Sequence, residues 1–110
     1  MITNNPLCNE QLGHVYIVEF AEEAPLATLQ RVRNKVHLGH GLITHPTAGG
    51  LPPGTSPYKS VVITADAATP TLAHINAIEH TIASYEKCGQ PAQAGHLDDF
   101  AMLDFALVRR

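Results

Sequence analysis

The stretch that decides the fold reads Val36-His37-Leu38-Gly39-His40-Gly41-Leu42-Ile43-Thr44-His45-Pro46, and a turn-rich loop from Thr47 to Ser60 follows it. Together they hold three of the seven histidines, five of the eight glycines and four of the eight prolines. Glycine and proline interrupt regular structure, so a helix is expected to close here and a short strand to begin. Because long ordered loops in small domains are often functional, this stretch is the first candidate for a site.

Composition indicates one small domain spanning residues 1–110. A chain of 110 residues can bury enough apolar surface to fold without a metal or a disulfide. Charged residues make up 15% and hydrophobic residues 45%, which predicts a surface poor in charge and favours a homo-oligomer. With a net charge of -3 and no run of Lys or Arg, nucleic acid is excluded as the main partner.

Cysteine usage and hydropathy predict a cytoplasmic protein. Cys8 and Cys88 stand far apart and form no Cys-x-x-Cys motif, a pattern typical of incidental thiols in a reducing compartment. We find no signal-peptide pattern and no apolar run near the ~20 residues that a membrane helix needs.

Hydrophobic periodicity predicts strands that alternate with helices. Helices are expected over Pro6–Gln11, Pro25–Leu38 and Pro70–Cys88, the last with Thr69 as N-cap and Leu72, Ile75, Ile78, Ile82 and Tyr85 on its core face. Strands are expected over Met1–Thr3, Val15–Phe20, Leu42–Thr44, Ser60–Thr64 and Leu103–Val108. The predicted fold class is α/β: a single-domain sandwich with a mixed or parallel sheet of about 4–5 strands and helices packed on it.

Three sequence segments carry a family resemblance: Ile2–Pro6, Gly39–Pro46 and the loop end Pro57–Ser60. In order and spacing, over about two thirds of the chain, they resemble the GrdX family, the small X proteins of glycine, sarcosine and betaine reductase systems. The resemblance implies an accessory protein in amino-acid or small-amine metabolism with reductase-type protein partners, and it supplies no catalytic residues. Where the family loop is richer in serine and has an additional lysine, this chain has Ala48, Gly50 and Pro52.

Metal and covalent chemistry receive little support from the residue pattern. His37, His40 and His45 could be zinc ligands by residue type, but their spacing fits no zinc pattern, so we expect no metal and no cofactor. Thr44, His45, Ser56 and Ser60 could supply a hydroxyl and an imidazole, yet no Gly-x-Ser-x-Gly motif is present. His45 remains the candidate general acid or base, because histidine titrates near neutral pH, and a non-enzymatic protein is favoured.

An anion site at the ends of the strands requires the fewest assumptions. Glycines at 49, 50 and 54 would let backbone amides approach a carboxylate or phosphate, and Lys59 would add charge. Ligands of α/β sheets usually bind where strands end, and Asn4-Asn5 and His45 follow predicted strands. The leading hypothesis is a pocket for a small anionic metabolite formed by Asn4, Asn5, Thr44, His45, Gly49, Tyr58, Lys59 and Ser60. The alternatives are a small enzyme that uses His45 and a non-catalytic assembly factor that docks through the long loop.

Overall fold

A small mixed sheet lies at the centre of the computed structural model, which describes residues 1–13, 17–46, 58–88, 101–102 and 104–106. Its strands are β1 (Ile2–Thr3), β2 (Glu19–Phe20) and β3 (Ser60–Val61), in the order β2-β1-β3. β1 runs parallel to β2 and antiparallel to β3, with Thr3 opposite Ser60. The predicted α/β class and mixed sheet are therefore confirmed.

The strands are fewer and shorter than predicted. The described residues contain three strands and one isolated bridge between Leu42 and Ile63, against the expected 4–5 strands. The strand predicted over Leu103–Val108 is wrong at its described residues, because 101–102 and 104–106 are helical. Ala101 and Ala106 favour helix, whereas the sequence-based prediction gave more weight to the apolar residues between them.

Besides the helical residues 101–102 and 104–106, the described part of the chain forms three helices around the sheet: α1 (Pro6–Leu12), α2 (Pro25–His37) and α3 (Leu72–Cys88). α1 starts with proline at its first position and with Asn5 as N-cap, whose side chain accepts a hydrogen bond from the amide of Leu7. α2 ends at His37, one residue before the predicted Leu38, and Gly39 follows with a φ of 109° that only glycine adopts without strain.

The start of α3 differs from the prediction. The helix begins at Leu72, and the carbonyl of Thr71 accepts the hydrogen bond of Ile75 at 3.0 Å, so Thr69 and Pro70 precede the helix. Leu72 is 70% exposed and does not belong to the core. Ile78 and Ile82 are buried as predicted, because they lie one turn apart on the face that packs against α2.

Apolar side chains cover both faces of the sheet. Neighbouring strand residues point to opposite faces, so Val61 and Val62 belong to different clusters. The larger cluster packs the sheet on α2 and α3 and is formed by Ile2, Leu29, Val32, Val36, Val61, Ile78 and Ile82. The smaller cluster packs the other face on α1 and on Phe105 and is formed by Met1, Cys8, Leu12 and Val62. No helix within the described residues is long and apolar enough to cross a membrane.

Arg31 on α2 ties together the ends of β1 and β2. Its guanidinium donates to the Glu23 carboxylate at 2.6 Å, to the Thr3 carbonyl at 3.1 Å and to the Glu19 carbonyl at 3.3 Å. We expect Arg31→Met to lower the free energy of unfolding by about 2 kcal/mol, because hydrogen bonds from a charged donor to half-buried groups are lost. Urea denaturation measures this loss.

Arg33 provides the matched control for Arg31. It also lies on α2 and makes a two-pronged bond to Glu79 at 2.7 and 2.9 Å, but its side chain is 36% exposed and the carboxylate 40%. Solvent screens such a pair, so Arg33→Met is expected to lower the free energy of unfolding by less than ~1 kcal/mol. Equal losses for the two variants would contradict the assigned role of Arg31.

Candidate functional site

The end of β1 and the start of β3 bring five polar side chains together. We call Thr3, Asn5, Cys8, Ser60 and Asp104 the strand-end cluster. The antiparallel pairing places Thr3 opposite Ser60, and their hydroxyl oxygens lie 2.6 Å apart. Thr3, Asn5, Cys8 and Ser60 are all at most 5% exposed, so the cluster lies inside the fold.

Asp104 organises this cluster from a distant part of the chain. Its Oδ2 accepts hydrogen bonds from Ser60 Oγ at 2.6 Å and from Asn5 Nδ2 at 3.0 Å, and it lies 3.8 Å from Cys8 Sγ. A carboxylate only accepts, so Ser60 Oγ donates to Asp104 at 2.6 Å, a much closer acceptor than Cys8 Sγ at 3.5 Å, and Thr3 then donates to Ser60. The carboxylate therefore fixes the direction of the hydrogen bonds through the cluster.

The side chains of Asn4 and Asn5 are bound by other parts of the protein. Asn4 Oδ1 accepts from the amide of Lys59 at 2.7 Å, and Asn4 Nδ2 donates to the Glu23 carbonyl at 2.8 Å. Asn5 Nδ2 also donates to the carbonyl of Ala101 at 2.9 Å. These amides hold Lys59 and the 101–106 segment beside the end of β1.

Lys59 is a largely buried lysine next to this cluster. The residue is 7% exposed, and burial lowers the pKa of its ammonium below the usual 10.5, while the charge of Asp104 acts in the opposite direction. Among the described residues, the hydrogen bonds of Lys59 run through its backbone amide and carbonyl. A cation in such a position is destabilised by lost hydration and attracts negative charge.

The other residues predicted for the site lie on the two flanking segments. Thr44 follows the Leu42 bridge, and its Oγ1 accepts from the amide of Val62 at 2.9 Å, two residues beyond Ser60. His45 is exposed, and Tyr58, which precedes Lys59, is half-buried. Gly49 lies outside the described residues. The structure thus brings Asn4, Asn5, Lys59 and Ser60 together and places Thr44 on the neighbouring segment.

Sequence reasoning missed Thr3, Cys8 and Asp104 as members of the cluster. The sequence pattern predicts strands at Thr3 and Asp104 and an incidental thiol at Cys8. One signal was available: Asp104 is the only charged residue between Phe100 and Val108. A single carboxylate in an apolar run is often buried with partners, and this one binds Ser60 and Asn5.

A separate cleft lies at the other end of β1. Its volume is about 320 Å³, and it is lined by Met1, Ile2, Ile17, Glu19, Lys35, His40, Ile63, Thr64 and Ala65. None of these residues belongs to the site predicted from the sequence, because that site lies at the opposite ends of the strands.

Comparison with known proteins identifies the family. The family model described as GrdX-like protein matches residues 1–110. The chain belongs to the GrdX-like family. This confirms the resemblance found in the segments at 2–6, 39–46 and 57–60, and extends it to the whole chain. No curated protein and no solved structure gave a match.

In the segment around 36–46 of this GrdX-like chain, His37 and His40 have different protein partners. His40 Nδ1 lies 2.8 Å from the carbonyl of Thr64, and His37 Nε2 lies 3.3 Å from the Glu79 carboxylate. Within the described part of the chain, no three His, Cys, Asp or Glu side chains are grouped to hold a metal ion. The structure therefore gives these histidines separate environments.

Cys8 has the burial of a structural thiol. It is fully buried, and burial raises the pKa of the thiol from 9.0 to about 11, with the Ser60 hydrogen bond opposing this and the Asp104 charge adding to it. Nucleophilic cysteines need a lowered pKa and access to solvent. Cys8 in this GrdX-like chain has neither property.

The raised pKa of Cys8 predicts a loss of stability at alkaline pH. Between pH 9.0 and about 11 the unfolded thiol releases its proton while the folded thiol keeps it. Since the folded state then binds more protons, this group makes the free energy of unfolding fall as pH rises through that window. Urea denaturation at several pH values measures the slope, and in Cys8→Ala the fall should be smaller. An unchanged slope in Cys8→Ala would contradict the assignment.

Proposed function

We propose that this GrdX-like chain is an accessory protein of glycine reductase-type systems that binds a small anionic metabolite beside Lys59. The family supports the accessory role. One observation carries the binding proposal: the Lys59 residue is largely buried, burial lowers the pKa of its ammonium, and none of the described side chains accepts a hydrogen bond from it.

Asp104 compensates the charge of Lys59 only in part. Its Oδ2 already accepts hydrogen bonds from Ser60 and Asn5, which hold this oxygen within the strand-end cluster. The pKa of Lys59 stays below its usual value in spite of this carboxylate. A carboxylate or phosphate bound next to the ammonium would supply both a counter-charge and hydrogen-bond acceptors.

In this proposal the predicted residues divide into two roles. Lys59 provides the charge, and Thr44, His45, Tyr58 and Ser60 belong to the segments that border it, while the predicted Gly49 lies outside the described residues. Asn4 and Asn5 act as positioning residues, because Asn4 fixes the backbone of Lys59 and Asn5 holds Asp104. The enzyme and assembly-factor alternatives stay predictions. Ile43 next to Thr44 is 63% exposed, which is more typical of a contact surface than of an enclosed catalytic site.

Calorimetric titration with carboxylates, betaines and acyl phosphates tests the binding proposal. We expect saturable binding of at least one anion, and at least about tenfold weaker binding by Lys59→Met, because a charge-assisted hydrogen bond is lost. Lys87→Met is the matched control, since Lys87 is exposed at the end of α3. Urea denaturation of Lys59→Met verifies that it folds.

Two results would reject this site. One is the absence of heat with every anion in the panel. The other is an anion that binds folded Lys59→Met as tightly as it binds Lys87→Met, since its site would then lie elsewhere.

A further inference from the structure

The cleft at the far end of β1 presents opposite charges above an apolar floor. We infer that this cleft binds an amino acid with an aliphatic side chain, in its zwitterionic form, between Glu19, Lys35 and His40. This inference does not rest on the proposed function, because it uses none of the residues around Lys59. It assigns a second, independent binding site to the chain.

Glu19 and Lys35 form a pair that a ligand can open. Lys35 Nζ lies 3.4 Å from Glu19 Oε1, and the two side chains are 35% and 49% exposed, respectively. Such loose, solvated pairs contribute little to stability, so exchanging each partner for a ligand group has a small free-energy cost. The carboxylate would accept from the ligand's ammonium, and Lys35 would donate to the ligand's carboxylate.

Other charges at the cleft also favour a ligand that carries both signs. The amino group of Met1 donates to the Ile17 carbonyl at 2.9 Å and interacts with the charge of Glu19. A ligand with only a carboxylate would lie beside Glu19, and a ligand with only an ammonium would lie beside Lys35 and Met1. A zwitterion avoids both repulsions because each of its charges meets its opposite.

His40 adds a directional acceptor. Its Nδ1 lies 2.8 Å from the Thr64 carbonyl, and since a carbonyl cannot donate, Nδ1 must carry the proton. In the neutral ring, Nε2 therefore presents a lone pair, and no hydrogen bond joins it to a described residue. An ammonium with N–H groups can donate to this nitrogen, whereas a trimethylated ammonium cannot.

The apolar lining determines the rest of the ligand. Ile2 forms a buried floor, Ile63 is half-buried, and Ile17 at the rim is 85% exposed. An aliphatic side chain that covers Ile17 would remove this apolar surface from water. A volume of about 320 Å³ accommodates a free amino acid and is at the lower end of ligand pockets.

Titration of the full chain with L-leucine and four analogues tests this inference by calorimetry. The analogues are leucine methyl ester without the carboxylate, 4-methylpentanoate without the ammonium, N,N,N-trimethylleucine without N–H groups, and glycine without the side chain. We expect saturable binding of leucine, and each analogue to bind at least about tenfold more weakly, because each lacks one of the matched groups. Glu19→Gln and Lys35→Met should weaken leucine binding by a similar factor.

Matched controls come from α3, where Glu86 and Lys87 are both exposed. Glu86→Gln and Lys87→Met should bind leucine as the unaltered chain does, and Lys59→Met should too, which separates this site from the one proposed above. Three results would overturn the inference: no leucine binding at millimolar concentration, equal binding of all five compounds, or unchanged leucine affinity in folded Glu19→Gln and Lys35→Met.

Discussion

Replacing Gly39 by alanine is expected to lower the free energy of unfolding by about 3 kcal/mol or more. A Cβ atom on Gly39 would lie 1.7 Å from the carbonyl oxygen of Ala68, and the φ of 109° is one that L-residues rarely adopt. Positive φ alone costs about 1–2 kcal/mol, and relieving the clash requires two backbone segments to separate. That separation would also break the hydrogen bond from the Ala68 amide to the Gly39 carbonyl.

Gly41, two residues after Gly39, provides the matched control for the Gly39→Ala variant. A Cβ there would meet side-chain atoms at 3.2 Å and 3.3 Å, on His74 and Thr64, which can shift by a few tenths of an ångström. Gly41→Ala should therefore lower the free energy of unfolding by less than ~1 kcal/mol. Urea denaturation compares the two variants, and losses that agree within error would show that the close approach of Gly39 to Ala68 is absent.

Removal of the Asp104 carboxylate is expected to have the second largest effect. Asp104→Ala should lower the free energy of unfolding by about 2–3 kcal/mol, because Ser60 and Asn5 lose an acceptor and the Lys59 ammonium loses its nearby counter-charge. This loss in the free energy of unfolding is smaller than the loss expected for a fully buried ion pair, because Asp104 is half-buried. Asp66→Ala, at an exposed aspartate, provides the reference.

The variant Asp104→Asn separates hydrogen bonding from charge. It keeps an acceptor for Ser60 and removes the negative charge, so its destabilisation should be smaller than that of Asp104→Ala. In a Lys59→Met background, Asp104→Asn should cost about 1 kcal/mol less than in the unaltered chain, because no ammonium then needs the charge. If the two cost the same, Asp104 does not act on Lys59.

Local sequence patterns located the three helices and the central strands, although the strands are shorter than predicted and α3 begins two residues later. The spacing of Ile78 and Ile82 predicted the buried face of α3, and Gly39 predicted the end of α2, because both depend on residues close in sequence. The pattern around Asp104 was misleading for the opposite reason. Its conformation depends on hydrogen bonds to Asn5 and Ser60, and separations of 99 and 44 residues leave no periodic signal.

The candidate site was predictable only in part for a related reason. The rule that ligands bind where strands end pointed to Asn4, Asn5 and His45, and the glycine-rich loop added Lys59 as a charge. The structure joins Asn4 to Lys59 by hydrogen bonds. The sequence alone does not show that the side-chain amides of Asn4 and Asn5 form hydrogen bonds with backbone groups. The cleft near Glu19 and His40 was missed because it forms where the N-terminal side of β1 meets the end of α2 and Ile63.

The ionisation of Lys59 tests the central claim most directly. Nuclear magnetic resonance titration of its side-chain carbon next to the ammonium, assigned with Lys59→Met, gives the pKa in the free protein and with a bound anion. Burial predicts a pKa below 10.5 in the free protein and a rise when an anion binds, because the bound charge stabilises the ammonium. A pKa of 10.5 or higher in the free protein, or no rise on binding, would contradict the proposed site.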